Sequence, residues 1–293
     1  VAARLRERHP DLEVEEVVIR TGGDGGTKAL GALSDRGVFV KEIEEALLDG
    51  GIDLAVHSLK DLPTDLPHGL ILAAVPERHD ARDALLSVPG WTFDDLPRGA
   101  RVATGSFRRK CQLLHRRPDL EVVSVRGNVD TRIRKLREEQ FDALVLALAG
   151  VERLGLDTVP VRPIPESVCL PAVGQAALGI ETREDDAGTR DLLGPLVHAP
   201  TQAAVTAERA FLQRLGGGCL APATGYATEE DGRLRLEAVV GDPDGTRILR
   251  DSESGGADEA TELGERLADR LLDAGAGEIL AAIRDGAGEE DGA

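Results

Sequence analysis

Residues 101–148, RVATGSFRRKCQLLHRRPDLEVVSVRGNVDTRIRKLREEQFDALVLAL, alternate short apolar runs with amphipathic ones. Arg101–Ala103 reads as a strand, Thr104-Gly105-Ser106 as a turn and Phe107–His115 as a helix. Leu120–Val125 then reads as a strand, Val129–Glu139 as a helix and Ala143–Leu148 as a buried strand. Strands separated by helices imply a sheet with crossover connections, and the fold class is therefore α/β. Ligands in such sheets sit beyond the carboxyl ends of the strands. Thr104–Ser106 and Arg126–Asn128 both occupy that kind of position.

The flanking sequence extends the pattern. Leu12–Ile19 reads as a strand, Thr21–Gly37 as a Gly-rich loop, and Phe39–Leu48 as a helix ending at Gly50-Gly51. Ile52–Val56 is a short apolar strand whose exit carries His57-Ser58-Leu59-Lys60-Asp61, and Ile71–Val75 is another. Pro76–Arg82 reads as a polar crossing segment and Val168–Thr182 as a second crossing between the two α/β units. Pro200–Arg214 has helical periodicity, followed by the loop Gly216-Gly217-Gly218-Cys219. Strands near 223–228, 234–241 and 246–251 and a helix over 258–274 make an α+β end. The expected domains are 1–76 with 177–196, then 82–170, then 199–285, with 286–293 a disordered tail. No short-period repeat is visible.

At 293 residues and 41% hydrophobic content the chain can bury a sizeable core, which excludes disordered, collagen-like and disulfide-scaffold classes. No apolar run reaches membrane-spanning length, and the charged first residues lack a signal peptide's apolar centre, so a cytoplasmic location is expected. Cys111, Cys169 and Cys219 are odd in number and without C-x-x-C spacing, and the histidines are scattered; neither a disulfide nor a metal site is expected.

The formal charge is −18, with 30 arginines, 5 lysines and 53 acids. Such an acidic surface suits a salt-adapted protein, the alternative being the bias of a GC-rich genome. Residues 98–137 run against it, with twelve basic residues opposed only by Asp119, Glu121 and Asp130; that stretch is +9 and the remainder −27. Nucleic acid is a poor ligand for it, because Phe107 is its one aromatic residue and the whole chain would repel a phosphate backbone. A small polyanion fits better, since arginine's planar fork pairs with carboxylates two bonds at a time. Arg116, Arg117, Arg134 and Arg137 are accounted for by a solvated helix face.

Five segments in register, VHSLKDLP (56–63), ATGSFRRKCQL (103–113), RGNVDTR (126–132), LPAVGQAALGIE (170–181) and GGGCLAP (216–222), resemble the hydroxymethylbilane synthase, or porphobilinogen deaminase, family. The resemblance covers essentially the whole chain. It implies two periplasmic-binding-protein-like α/β domains around a cleft, plus a C-terminal α+β domain. It also implies condensation of four porphobilinogens into linear hydroxymethylbilane with release of ammonia. A dipyrromethane cofactor would be joined covalently, by a thioether, to Cys219. Cofactor contacts would come from Ser58, Lys60, Thr104, Ser106, Arg108, Arg109, Arg126, Asn128 and Arg132, and substrate contacts from Arg36, Arg126, Arg132, Arg153 and Gln175. The product would pass to a separate uroporphyrinogen-III synthase, and a monomer is implied, with no nucleic-acid or membrane partner.

The chemistry of the residues agrees. Each porphobilinogen brings an acetate and a propionate, so a growing chain needs an arginine-lined cleft. Asp61 is the expected catalytic residue: a carboxylate stabilises the charge that spreads onto the pyrrole nitrogen as ammonia leaves, and in its acid form helps the amine depart. Lys60 and the nearby arginines are expected to keep Asp61 ionised. Read alone, S-x-K-D is also an ordinary helix cap with a surface pair. Cys219, after three glycines in a polar loop, reads poorly as the small buried hydrophobe that suits Cys111 and Cys169.

Some positions depart from the family pattern. Its N-terminal cofactor-contacting segment would precede Val1, Arg36 stands where lysine is common, and Ala176 replaces a usual glycine in the hinge. The competing reading is a non-catalytic clamshell closing on a small anion, which would need neither Asp61 nor Cys219.

Overall fold

The computed structural model describes residues 1–19, 40–138, 140–156, 158–216 and 221–289. The Gly-rich loop at 21–37 with Arg36, and the loop residues 217–220 with Cys219, lie outside the described residues.

Three sheets organise the chain. The first contains β1 (Leu54–Ser58), β2 (Leu70–Ala74) and, from far along the chain, β8 (Leu178–Arg183), in the order β1-β8-β2 with β8 antiparallel to both neighbours. Helices α1 (Ala2–Arg8), α2 (Lys41–Leu48) and α6 (Ala187–Leu193) belong to this unit. Leu5, Ala74, Ile180 and Leu193 form part of its core. The segment expected to cross at 168–182 thus does two things: 171–177 crosses, and its continuation becomes the middle strand of the first sheet.

The second sheet has the order β5-β4-β6-β3-β7, using β3 (Asp83–Leu86), β4 (Arg101–Ala103), β5 (Glu121–Val123), β6 (Ala143–Ala147) and β7 (Val161–Pro163). β4 lies parallel to β5 and β6, as strands joined through helices must, whereas β3 and β7 are antiparallel additions. The connecting helices α3 (Phe107–Arg116), α4 (Val129–Arg137) and α5 (Leu148–Arg153) all follow strands. α3 and α4 start at polar caps: Ser106 accepts from the Arg109 amide and Asn128 from the Thr131 amide.

The third unit is an antiparallel meander of β9 (Ala223–Glu230), β10 (Arg233–Gly241) and β11 (Ile248–Gly255) packed on α7 (Ala199–Arg214) and α8 (Ala260–Leu271). Phe211 is fully buried at its centre, and the helices approach closely at Gly264, where a Cβ would stand 2.7 Å from the Phe211 amide nitrogen. The turn from β9 to β10 is open: a Cβ at Gly232 would meet no other part of the chain within 4 Å among the described residues. The turn from β10 to β11 is pressed onto α3: Gly245, at φ +70°, would place a Cβ 2.6 Å from the His115 amide nitrogen. The Gly245 carbonyl also meets His115 Nδ1 at 2.9 Å.

Several expectations change. Leu12–Ile19 forms no strand, because it has no ladder partner among the described residues, and Val18 is 88% exposed. A groove of about 960 Å³ separates it from the region of β1. β3 and β7 were not anticipated: β3 opens on a charged residue, and β7 is only Val-Arg-Pro, whose proline suits an edge. α5 continues directly from β6 within one apolar run, so periodicity does not separate them. The C-terminal helix breaks at Gly275 and resumes as α9 (Gly277–Glu289), so the expected tail at 286–293 begins as helix. Among the described residues no helix is long and apolar enough to cross a membrane.

Candidate active site

A cleft of about 270 Å³ lies where the three units meet. The first unit contributes Leu59–Asp65, the second Ser106, Arg108 and Arg109, the crossing segment Ala172, Val173 and Gln175, and the third Arg209, Leu212, Ala221 and Ala223. The larger groove beside residues 12–19 gathers apolar side chains and carboxylates, so the mixed chemistry converges on the smaller cavity.

β1 ends at Ser58, and a single 3-10 turn, Leu59–Asp61, carries Lys60 and Asp61 into the cleft. Leu59 is buried and its amide donates to the Ala177 carbonyl at 3.0 Å, fixing the turn against the crossing segment. Asp61 is accessible from the open cleft, yet the walls remove enough bulk water to raise its pKa; the Lys60 charge only partly opposes this. The expectation that its neighbours keep Asp61 ionised is therefore corrected: loss of solvent outweighs Lys60, the single close cation among the described residues. Burial likewise lowers the Lys60 pKa, Asp61 opposing and Arg109 and Arg108 adding to the shift.

The opposite wall rests on Asp83, the first residue of β3 and wholly buried. Its carboxylate accepts from Arg108 Nη1, Arg109 Nη2 and Gln175 Nε2, each at 2.8 Å. Burial alone would push this carboxyl up, but the two guanidiniums hold it well below the usual carboxylate range. Arg108 is spent inside the protein, since Nη1 also donates to the Leu170 carbonyl. Arg109 Nη1 reaches the Val145 carbonyl at 3.1 Å, whereas its Nε finds no acceptor and Gln175 Oε1 no donor among the described residues. Arg132, half-buried on α4, has its pKa lowered by burial and by the Arg109 charge.

The remaining expected residues are more dispersed. Thr104 is buried and its hydroxyl oxygen accepts from the Ser106 amide, so it supports the turn from within. Ser58, Arg126, Asn128 and Arg153 are exposed and do not line the cleft. Cys111 and Cys169 are buried, with burial pushing both thiols up to about 12, as their small-hydrophobe reading requires. The chain approaches the 217–220 loop through Leu212 and leaves it at Ala221, both of which line the cleft.

Sequence reasoning missed three supporting groups. Asp83 is one. The second is Glu208 on α7, fully buried, which pairs with Arg78 at 2.7 and 2.8 Å and accepts from the amides of Gly174 (2.7 Å) and Ala227 (3.0 Å). Arg78 also donates to the Gln175 carbonyl and lies 5.2 Å from the Tyr226 ring centre. Both crossing segments are thereby tied to the third unit. The third group joins buried His57 to Glu181 at 2.9 Å beside Glu44, whose pKa is raised by burial and by the Glu181 charge. The one available signal was phase: Glu208 lies on the same stripe of α7 as Ala204, Ala207 and Phe211.

Two family models match the chain: the porphobilinogen deaminase dipyromethane cofactor binding domain over residues 1–191, and the porphobilinogen deaminase C-terminal domain over residues 202–273. The porphobilinogen deaminase of Desulforudis audaxviator is 53% identical, the match covering 98% of this chain and 93% of that protein. The porphobilinogen deaminase of Moorella thermoacetica is 47% identical over 100% of this chain and 94% of its own length. Among solved structures, an ancestral cationic amino acid solute binding protein superposes with a TM-score of 0.42 and 15% identity, covering 67% of this chain and 75% of that one.

Proposed function

The chain belongs to the porphobilinogen deaminase family, and from that premise we propose how its cleft carries out the reaction. The enzyme is a transferase of tetrapyrrole biosynthesis. It condenses four porphobilinogen molecules head to tail, releasing ammonia, to give linear hydroxymethylbilane, and it uses a dipyrromethane cofactor.

The observation that carries the site assignment is the meeting of Lys60, Asp61, Arg109 and the end of α7 on one cavity. The residues present fit a polycarboxylate cofactor. Four cations, Lys60, Arg108, Arg109 and Arg209, line the cleft beside two acids, Asp61 and Asp65, and Arg109 Nε is a buried donor with no acceptor among the described residues. Cys219 is the proposed anchor. Lys60 and Arg109 would hold carboxylates at the cleft wall, with Arg132, on α4, beside Arg109 and with Ser58, Arg126, Asn128 and Arg153 meeting the more distant rings of a longer chain; Arg36 is a further proposed substrate contact. Arg108, Thr104, Ser106 and Gln175 act chiefly by holding that wall in place. When bound, the cofactor supplies the free pyrrole position from which the chain grows.

Asp61 performs the chemistry. Its carboxylate faces the charge that develops on the pyrrole nitrogen of porphobilinogen as the aminomethyl group loses ammonia. Its raised pKa keeps the acid form populated further toward neutral pH than for an ordinary aspartate, so the same group suits proton donation to the departing amine. Fixed positive charge on the wall neutralises the propionates and acetates as they enter a partly desolvated space. We further propose a cytoplasmic monomer whose product passes to a separate uroporphyrinogen-III synthase.

Intact mass spectrometry of the purified chain beside Cys219→Ser tests this reading. An excess of two linked pyrrole units on the parent chain and none on the variant is expected, together with porphobilinogen consumption by the parent alone. Equal masses would remove the Cys219 assignment, and absence of turnover by a loaded chain would remove the site.

A further inference from the structure

The turn bearing Asp61 is short, and the residues after it, Leu62-Pro63-Thr64, lie in no strand that could occupy their carbonyls. The Arg209 guanidinium, from α7, occupies them instead. Nη1 donates to the Leu62 carbonyl at 3.2 Å, and Nη2 to the Pro63 carbonyl at 2.6 Å and the Thr64 carbonyl at 3.2 Å. One turn further along α7, Gln213 Nε2 donates to Asp65 Oδ1 at 2.5 Å. Four successive residues beyond Asp61 are thus gripped by one helix.

The grip starts from a fixed base. The residue before Arg209 is Glu208, fastened to Arg78, Gly174 and Ala227, so the Arg209 backbone cannot drift along the cleft. The entrance of the Asp61 turn is held separately, by the Leu59 amide on the Ala177 carbonyl. Its exit is held from the third unit. α7 is also the helix that ends at Arg214, shortly before the loop with Cys219.

We propose that Arg209 is a positioning residue for the reaction: by clasping the carbonyls of Leu62, Pro63 and Thr64 it sets Asp61 in register with α7. This rests on the assignment of Asp61 and Cys219 above. The task needs arginine because a planar fork spans neighbouring carbonyls, whereas lysine offers a single point charge. A displacement of the reacting group of about 1 Å is enough to lower turnover about a hundredfold.

The test compares Arg209→Lys, Arg209→Gln and the control Arg214→Gln, whose parent side chain pairs with Asp269 on the exposed side of α7. Each is measured for cofactor content by intact mass, thermal midpoint, kcat and KM for porphobilinogen, and amide hydrogen exchange over 62–66. Expected are full cofactor content and KM within about twofold throughout, with kcat down about tenfold in Arg209→Lys and about a hundredfold in Arg209→Gln. Exchange should quicken at 62–66 and stay unchanged in β1, and Arg214→Gln should match the parent. Unchanged kcat or unchanged exchange at 62–66 in a loaded Arg209→Gln chain overturns the proposal; so does a kcat loss accounted for entirely by missing cofactor. Should Arg209→Gln fail to fold, Arg209→Lys decides by the same criteria. A parent chain that is itself unloaded and inactive would instead overturn the site assignment.

Discussion

Asp61 lines the cleft and Asp83 lies buried behind the wall formed by Arg108 and Arg109, and their surroundings move their protons in opposite directions. Asp83 is entirely buried, yet two guanidiniums and an amide hold it ionised. Asp61 is reachable by water, yet loss of solvent raises its pKa, and Lys60, the one close cation among the described residues, only partly opposes the shift. Burial alone therefore does not decide ionisation; the number and geometry of partners do. The better satisfied carboxylate builds the wall, and the poorly satisfied one is left able to exchange a proton.

The largest effect expected from breaking this contrast is at Asp83. Asp83→Ala leaves Arg108 and Arg109 buried with uncompensated charge, at a cost of about 3–5 kcal/mol in chemical denaturation. A loss below about 1 kcal/mol would mean that water or another group takes over. The wild-type hub should survive mild acid. A carboxyl whose folded pKa is depressed contributes stability above its unfolded value, near 3.9, and loses it only as pH falls toward the folded one.

Asp61→Asn should do the reverse, lowering kcat by about 10²-fold or more while leaving stability at neutral pH unchanged or slightly higher. A raised folded pKa means that ionised Asp61 opposes folding once pH exceeds its ordinary range, so removing the charge relieves that cost. Full turnover in this variant would end the catalytic assignment.

A finer test is Lys60→Gln. Lys60 is the charge that partly offsets burial at Asp61, so its loss raises the Asp61 pKa further. The required carboxylate is then lost at higher pH on acidification, and the acid limb of the kcat profile should move upward. An unmoved limb would assign it to another group.

The smallest effect concerns the crossing segment that carries Gln175 to Asp83. Ala176 adopts φ +66°, a left-handed conformation that disfavours a side chain. Ala176→Gly should stabilise the chain by about 0.5–1 kcal/mol, the strain relieved exceeding the added flexibility of the unfolded chain. A destabilised variant would show that the methyl group packs usefully.

Much of this architecture was legible, and the misses share a cause. The alternation over 101–148 located β4, β5 and β6 with their helices because each apolar run is covered by its own neighbours in sequence. β3 stayed hidden because its first residue is a charge neutralised by α3, more than twenty residues away. Glu208 in TAERAFLQR looked like a solvated position, and only its phase with Ala204 and Phe211 marked it as buried. Leu12–Ile19 misled in the other direction: alternation describes one face of a strand and says nothing of whether an edge is available to pair with it. At the site, the motif residues Lys60, Asp61 and Arg109 converge on the cleft, while Asp83 and Glu208, which hold its walls, lie outside every motif.

The two hairpin turns of the third unit imply opposite tolerance to change. The Asp231-Gly232 turn projects into open space, so a peptide tag or fluorophore inserted there should leave the molecule intact. The Asp242–Thr246 turn is equally polar, but Gly245 rests against the backbone of α3, the helix whose first turn supplies Arg108 and Arg109. Lengthening that turn would wedge α3 away from its seat and disturb the wall of the cleft from its far side. In a library of insertions, a tip that looks like ordinary surface should therefore score among the intolerant positions, for a reason lying at the other end of a helix.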